Sequence, residues 1–338
     1  MESSTPFLRY IVAGKFSRDY LIFPNGQTAI DVKGGSAFYT ASGLGLWDDH
    51  IGIIGIVNEE YPIEWLQELE SRGMDVRGVQ KLATFYDQRN FIAYPTIEDP
   101  DISNPISHFA KINTPFPKTL LGYSAGENQN PKKNISDPTI RIRDIPFDYL
   151  DVTAVQICPM DYSSQSRLPS FFRQGHVTTI TLQASNDYMN SLYGDLVPTI
   201  LKDINAFICT ETQIRNLFYG KTSDIWEMVS DLDVYGCELI IIQTKKNKFL
   251  LWERSSRKKF EIPMYPSAIV DPTGILEAFC GGFLSGLRSY QNPLRATLQG
   301  SISASFTAEG IGPFYCLDSL PPLVEARLES LSSSVVEI

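Results

Sequence analysis

The chain reads as an α/β protein built on a mostly parallel sheet. Short apolar runs alternate with amphipathic stretches from end to end, the order expected when helices cover the faces of a sheet. The longest apolar runs, such as residues 51–57, stop at strand length and fall short of a membrane span. No internal repeat breaks the order, and the 338 residues, 43% of them hydrophobic, are read as one domain, residues 1–338.

Taken in order, residues 8–12, 51–56, 154–157, 177–182, 206–208 and 238–243 are apolar enough for central strands. Residues 37–46, 63–71, 196–203, 211–219 and 225–232 have helical spacing, and a last helix carries Val324, Leu328 and Leu331. Two segments depart from this rhythm. Residues 19–32, with the turn Pro24-Asn25-Gly26, read as a hairpin and residues 85–94 as another extended stretch, both too polar for central strands. Residues 114–138, rich in Pro, Asn, Lys and Gly, have no period and read as a loop or insertion.

A net charge of −10 leaves no basic field for nucleic acid or an anionic membrane. The short clusters at Lys245-Lys246-Asn247-Lys248 and 254–259 read as solvated hairpin faces. Cys158, Cys209, Cys237, Cys280 and Cys316 are far apart, with neither Cys-x-x-Cys nor a histidine at ligand spacing, which argues against zinc or a disulfide framework. A cytoplasmic protein is expected, since no basic-then-apolar leader opens the chain. Asn134-Ile135-Ser136 matches a glycosylation acceptor and, without that leader, is read as a chance match.

Chemistry concentrates near the C-terminus. Val270-Asp271-Pro272-Thr273-Gly274-Ile275-Leu276-Glu277 runs from a strand exit through a glycine turn into a helix with one acid in its first turn. Unpaired N–H groups and the helix dipole favour a phosphate there, and the carboxylate is placed to take a proton from an attacking hydroxyl. Phosphoryl transfer is the chemistry suggested.

This segment resembles the signature of the PfkB/ribokinase family of sugar and nucleoside kinases, Asp-x-Thr-Gly-Ala-Gly-Asp-Ala-Phe followed by Gly-Gly-Phe. Asp271, Thr273, Gly274, Ala278, Phe279, Gly281, Gly282 and Phe283 match in register, whereas Ile275 and Leu276 replace a small residue and a glycine, and Glu277 replaces the catalytic Asp. The resemblance implies a ribokinase-like three-layer α/β/α sandwich with a small β-lid, formed here by about 16–33 and 84–112. It also implies an anion hole at Gly274, Ile275 and Leu276, Glu277 as catalytic base, and Mg2+ and ATP as cofactors. In relatives Asp271 and Thr273 would lie near a monovalent cation. Leu276 either blocks close backbone approach or forbids a positive φ, if the turn needs one. Glu277 carries its carboxylate about 1.5 Å further than Asp would, and such misplacement costs roughly a hundredfold in rate.

On the acceptor side, Gly14 to Asp19 matches the family's Gly-x-x-x-x-Asp, whose carboxylate holds sugar hydroxyls, although Asp19 also reads as an ordinary turn residue. Gly34 and Gly35 resemble the Gly-Gly that opens the family's first long helix, and Tyr39 stands where the family has Asn. A phenol there narrows the pocket or prefers a flatter ligand.

On the nucleotide side, Thr210 and Gln213 replace the Asn and Glu of Asn-x-x-Glu, and an amide is a poor magnesium partner. A helix cap explains the pair equally well. Thr244 and Lys246 align with the family's Thr-x-Gly turn, and Ser303 falls in a small-residue helix beside the adenine pocket, where small residues also serve helix crossings. Two functions follow: an ATP-dependent kinase for a sugar or nucleoside, with impaired or altered phosphoryl transfer, or a catalytically inactive pseudokinase that acts as a sugar- or nucleotide-binding or scaffold protein. The resemblance further implies a homodimer paired through exposed lid strands.

Overall fold

The computed structural model describes residues 7–124 and 138–338. Residues 125–137 of the expected 114–138 insertion, and the Asn134 acceptor, lie outside the described residues.

The central sheet is assembled from β1 (Tyr10–Ala13), β4 (Ile51–Asn58), β5 (Asp75–Leu82), β7 (Ala154–Ile157), β8 (Thr179–Gln183), β9 (Ala206–Thr210), β10 (Leu239–Gln243), β11 (Lys248–Glu253), β12 (Lys258–Pro263) and β13 (Val336–Glu337). Its order is β13-β12-β11-β10-β9-β8-β7-β1-β4-β5. Pairing is parallel from β5 to β10 and antiparallel from β10 to β13. Strands covered on both faces need apolar residues at successive positions. In β1, Ile11 and Ala13 face one core while Tyr10 and Val12 face the other.

Helices complete the layers. α4 (Tyr162–Phe172), α5 (Val197–Leu201), α6 (Glu211–Leu217) and α7 (Ile225–Asp233) supply Leu168, Ile200, Ile214 and Met228 to the first core. On the opposite face lie α1 (Ser36–Gly45), α2 (Ile63–Ser71), α8 (Ile275–Tyr290), α9 (Pro293–Ala308) and α10 (Pro321–Ser332), contributing Phe38, Leu66, Phe279, Ile302 and Val324. The result is the expected three-layer α/β/α sandwich. Several elements were absent from the sequence reading, β5 and α4 among them. β5 is an edge strand carrying Asp75, Arg77 and Lys81, so it lacks an apolar run, and α4 is polar with Pro169 inside it.

The two polar segments meet in a separate sheet. β2 (Ser17–Ile22) pairs antiparallel with β3 (Thr28–Gly34) and parallel with β6 (Arg89–Ala93), so the 85–94 stretch is a strand only in part. Tyr20, Ile22, Phe91 and Ala93 pack against Phe109 of α3 (Pro105–Lys111) and against Leu120. Register shifts between Asp19 and Tyr20, where Asp31 is the extra residue of a β-bulge with φ 56°. Bulges re-aim neighbouring side chains.

Candidate active site

Strand β1 lies between β4 and β7, so the chain leaves it toward both halves of the sheet, and ligands of such sheets bind outside the carboxyl ends of the strands at this switch point. A cavity of about 690 Å³ occupies that place. Gln183 of β8, Thr210 of β9 and Gln243 of β10 reach it from below, Asp19, Asn90 and Tyr94 from the lid, and the start of α8 from the side.

Gly274 caps α8 in the left-handed conformation, φ 76°, which glycine adopts without strain. The first return bond of the helix runs from the N–H of Ala278 to the carbonyl of Gly274 (2.9 Å), so the amides of Ile275, Leu276 and Glu277 precede the ladder, as the first amides of any helix do. Ile275 and Leu276 are 8% exposed and turn into the core beside Ile208 and Ile241. Position 276 is helical, and the positive φ of this turn is confined to Gly274, so Leu276 forbids nothing the turn needs. Glu277 is half-buried and lines the cavity, and its Oε1 accepts a hydrogen bond from Gln183 Nε2 at 2.9 Å. Burial raises its pKa, and the Gln183 amide opposes that rise.

Asp271 has both oxygens engaged: Oδ1 accepts from the Thr273 N–H at 2.8 Å and Oδ2 from the Gly312 N–H at 3.3 Å. Thr273 Oγ1 lies 3.0 Å from the Tyr94 hydroxyl. These two residues, matched to a monovalent-cation position, therefore hold the turn and tie it to the lid.

Asp19 is 1% exposed, and its Oδ1 accepts from Ser17 Oγ at 2.6 Å and Asn90 Nδ2 at 3.2 Å. Burial drives its pKa up to about 6, against those two bonds, with the charges of Asp271 and Glu277 adding to the rise. The carboxylate lies over Gly34, where a Cβ would come within 1.9 Å of Oδ2. Gly35 caps α1 at φ 100°, but the Ala37 N–H of its first turn donates to the Lys15 carbonyl (3.0 Å), so that amide is committed. Tyr39 is buried, and its ring lies on Gly274, where a Cβ would stand 2.1 Å from the ring atoms Cγ and Cδ1.

On the nucleotide side, where the sequence departs from the family motifs, the residues are engaged with one another. Thr210 and Gln213 form a reciprocal capping box: Thr210 Oγ1 accepts from the Gln213 N–H (3.1 Å), and Gln213 Oε1 from the Thr210 N–H (2.9 Å). The Gln213 amide also donates to the Ala184 carbonyl (3.2 Å) and to Asn186 Oδ1 (2.8 Å). Glu211 pairs with Arg215 and accepts from the Lys245 N–H. This sheet side thus presents no unengaged carboxylate to magnesium among the described residues, and the chain's own groups there do not fit that ion. Thr244 Oγ1 closes the β10–β11 turn on the Lys248 carbonyl (3.0 Å). Lys246, aligned with the family's nucleotide-side glycine, is an exposed turn residue outside the cavity wall, and the positive φ of this turn falls one position later, at Asn247 (54°). Lys245 does line the cavity, with Nζ 3.9 Å from Asp99 of the lid loop. Ser303 is not on the wall either. Its hydroxyl donates to the Gly43 carbonyl and accepts from Trp47 Nε1, both at 2.8 Å, which makes it a helix-crossing residue.

No family model matches the chain. A cytidine kinase of Thermococcus kodakarensis is 26% identical over 280 residues, 82% of this chain and 88% of that protein. The chain is similar to that kinase along most of both sequences. A nucleoside kinase of Methanocaldococcus jannaschii, an archaeal member of the ribokinase family, superposes with a TM-score of 0.64 at 16% identity, covering 96% of this chain and all of that one. Fructokinase from Vibrio cholerae, in its fructose, ADP and calcium ion bound form, gives 0.70 at 13% identity over 95% of this chain and 99% of its own. At such identities these structures establish the ribokinase-like fold. Beside the family's motif positions, the cleft contains Gln183, Asn90 and Tyr94, which the sequence reading passed over. Gln183 carried a usable signal: a polar residue closing an apolar strand at the carboxyl end of a parallel sheet.

Proposed function

We propose that the chain transfers the terminal phosphoryl group of ATP to a hydroxyl of an uncharged sugar or nucleoside. What supports this above all is that Glu277, the first amides of α8 and Asp19 open onto one cleft. Asp19 accepts hydrogen bonds from acceptor hydroxyls. Glu277 takes the proton of the attacking hydroxyl as its oxygen bonds to phosphorus and the diphosphate leaves, while the α8 amides face the transferred group's oxygens. ATP as donor, and a metal carried by its phosphates, accord with the ADP and calcium ion of the fructokinase complex. The cytidine kinase relative favours nucleosides in the acceptor panel.

A second reading, binding without turnover, is favoured by the Tyr39 ring on Gly274 and by the spent amide of Gln213. Phosphate transfer from magnesium ATP to a panel of sugars and nucleosides separates the two. Glu277→Gln should lower kcat by roughly 10²–10⁴-fold with an unchanged melting temperature. In wild type the acid limb of the rate profile should lie above the ordinary Glu value of about 4.3, because the base must be ionised and its pKa is raised. Equal, background-level turnover by both proteins, with a ligand still raising the melting temperature, establishes the second reading instead.

A further inference from the structure

The base of the proposed reaction sits beside a two-point clamp. Glu277 and Cys280 lie three residues apart on α8, hence on one face of the helix, and both meet the buried side chain of Gln183 at the end of β8. Gln183 Nε2 donates to Glu277 Oε1 at 2.9 Å, and the Cys280 thiol donates to Gln183 Oε1 at 3.5 Å. The backbone beneath is fixed as well, because Gln165 Nε2 donates to the Gln183 and Cys158 carbonyls, both at 2.8 Å. Burial keeps the Cys280 thiol protonated, so it remains a donor and the amide oxygen must face it. Turned over, the amide would set its oxygen against the carboxylate and its N–H groups against the thiol, losing both bonds. Within electrostatic reach of Glu277 stand Asp19 and Tyr94 of the lid, Tyr39 of α1, Cys158 after β7 and Cys280, none of them a cation. Among the described residues that line the cavity the one cation, Lys245, pairs with Asp99.

We propose that Gln183 is the positioning residue of Glu277: its amide, oriented by the Cys280 thiol, holds Oε1 of the ionised carboxylate and leaves Oε2 to take the proton of the attacking hydroxyl. A hydrogen bond to an ionised acceptor is roughly twice as strong as one between neutral groups, and with no cation beside the carboxylate it stands in for the missing countercharge. The two side chains are matched in length, since an aspartate at 277, one methylene shorter, would withdraw from the amide. The catalytic consequence rests on the reading of Glu277 as base, whereas the hold on the carboxylate is independent of turnover.

The test is an infrared titration of protein carrying isotope-labelled glutamate carboxyls, in which Glu277 is the protonated-carboxyl band missing from Glu277→Gln. Gln183→Leu, apolar and close to glutamine in volume, should move that titration to higher pH, because the bond it removes favours the ionised form. Cys280→Ala, which keeps the amide but frees it to turn, should move it the same way by less. In the transfer assay Gln183→Leu should lower kcat by about tenfold, shift the acid limb upward, and add nothing to Glu277→Gln, where no base is left to position. A side chain with a merely structural role would lower the melting temperature and leave the titration in place. An unmoved titration in Gln183→Leu overturns the proposal, as does a loss of kcat that adds in full to that of Glu277→Gln. Should Gln183→Leu not fold, Gln183→Met is titrated in its place and decides in the same way. Absence of turnover in wild type ends the reading of Glu277 as base, and the titration alone then decides the hold on its carboxylate.

Discussion

At the scale of single residues, Asp19 shows how a ligand site opposes stability. Its carboxyl titrates near 3.8 when unfolded and at about 6 when buried, so the folded state holds its proton over that interval. Stability is therefore lost as pH rises from about 4 to 6, by up to about 3 kcal/mol, and stays lost above. Asp19→Asn should accordingly stabilise the protein in urea unfolding at pH 8, with a gain that shrinks toward pH 4, while acceptor binding falls. A gain independent of pH would remove the burial argument. Asp19 was legible in the sequence through its spacing from Gly14. Its surroundings were not, because Asn90 and the Asp31 bulge reach it only through strand pairing. Glu277 was likewise legible, whereas Gln183, 94 positions away, was brought to it by the packing of α8 against β8.

At the scale of elements, the glycines after Glu277 serve the crossing of α8 with its neighbours. A Cβ on Gly281 would lie 2.1 Å from the Thr40 carbonyl oxygen and 2.5 Å from the Leu44 N, both backbone atoms of α1 that cannot turn aside. Gly281→Ala should cost roughly 1–3 kcal/mol and lower the thermal midpoint. Because α8 also carries Glu277, kcat should fall with it, and a variant with full stability would sink this account of the crossing. Ser303 belongs to the same contact, which is why a small-residue pattern suited both a pocket wall and a helix crossing. The cap at Thr210 is the opposite case: Thr-x-x-Gln is readable locally because both partners lie within one turn.

At the scale of the whole molecule, a ten-stranded sheet with cores on both faces contrasts with a three-stranded lid over a small cluster. Fewer buried contacts mean cheaper local opening. Amides of Ser17–Ile22 and Arg89–Ala93 should exchange hydrogen faster than those of β7, β8 and β9, and a bound acceptor should slow the lid selectively. Uniform exchange across both sheets would contradict that division. No helix among the described residues is long and apolar enough to cross a membrane, as the strand-length apolar runs imply. The alternation of runs, the caps and the glycine turn before Glu277 were set by the sequence itself, since each depends on residues within a few positions of one another. Tertiary structure alone decided that Tyr39 covers Gly274, that Gln213 is spent on Asn186, and that Asn247 rather than Lys246 takes the turn's positive φ. Contacts between residues far apart in sequence, and the register of paired strands, exist only once the sheet and its helices have packed.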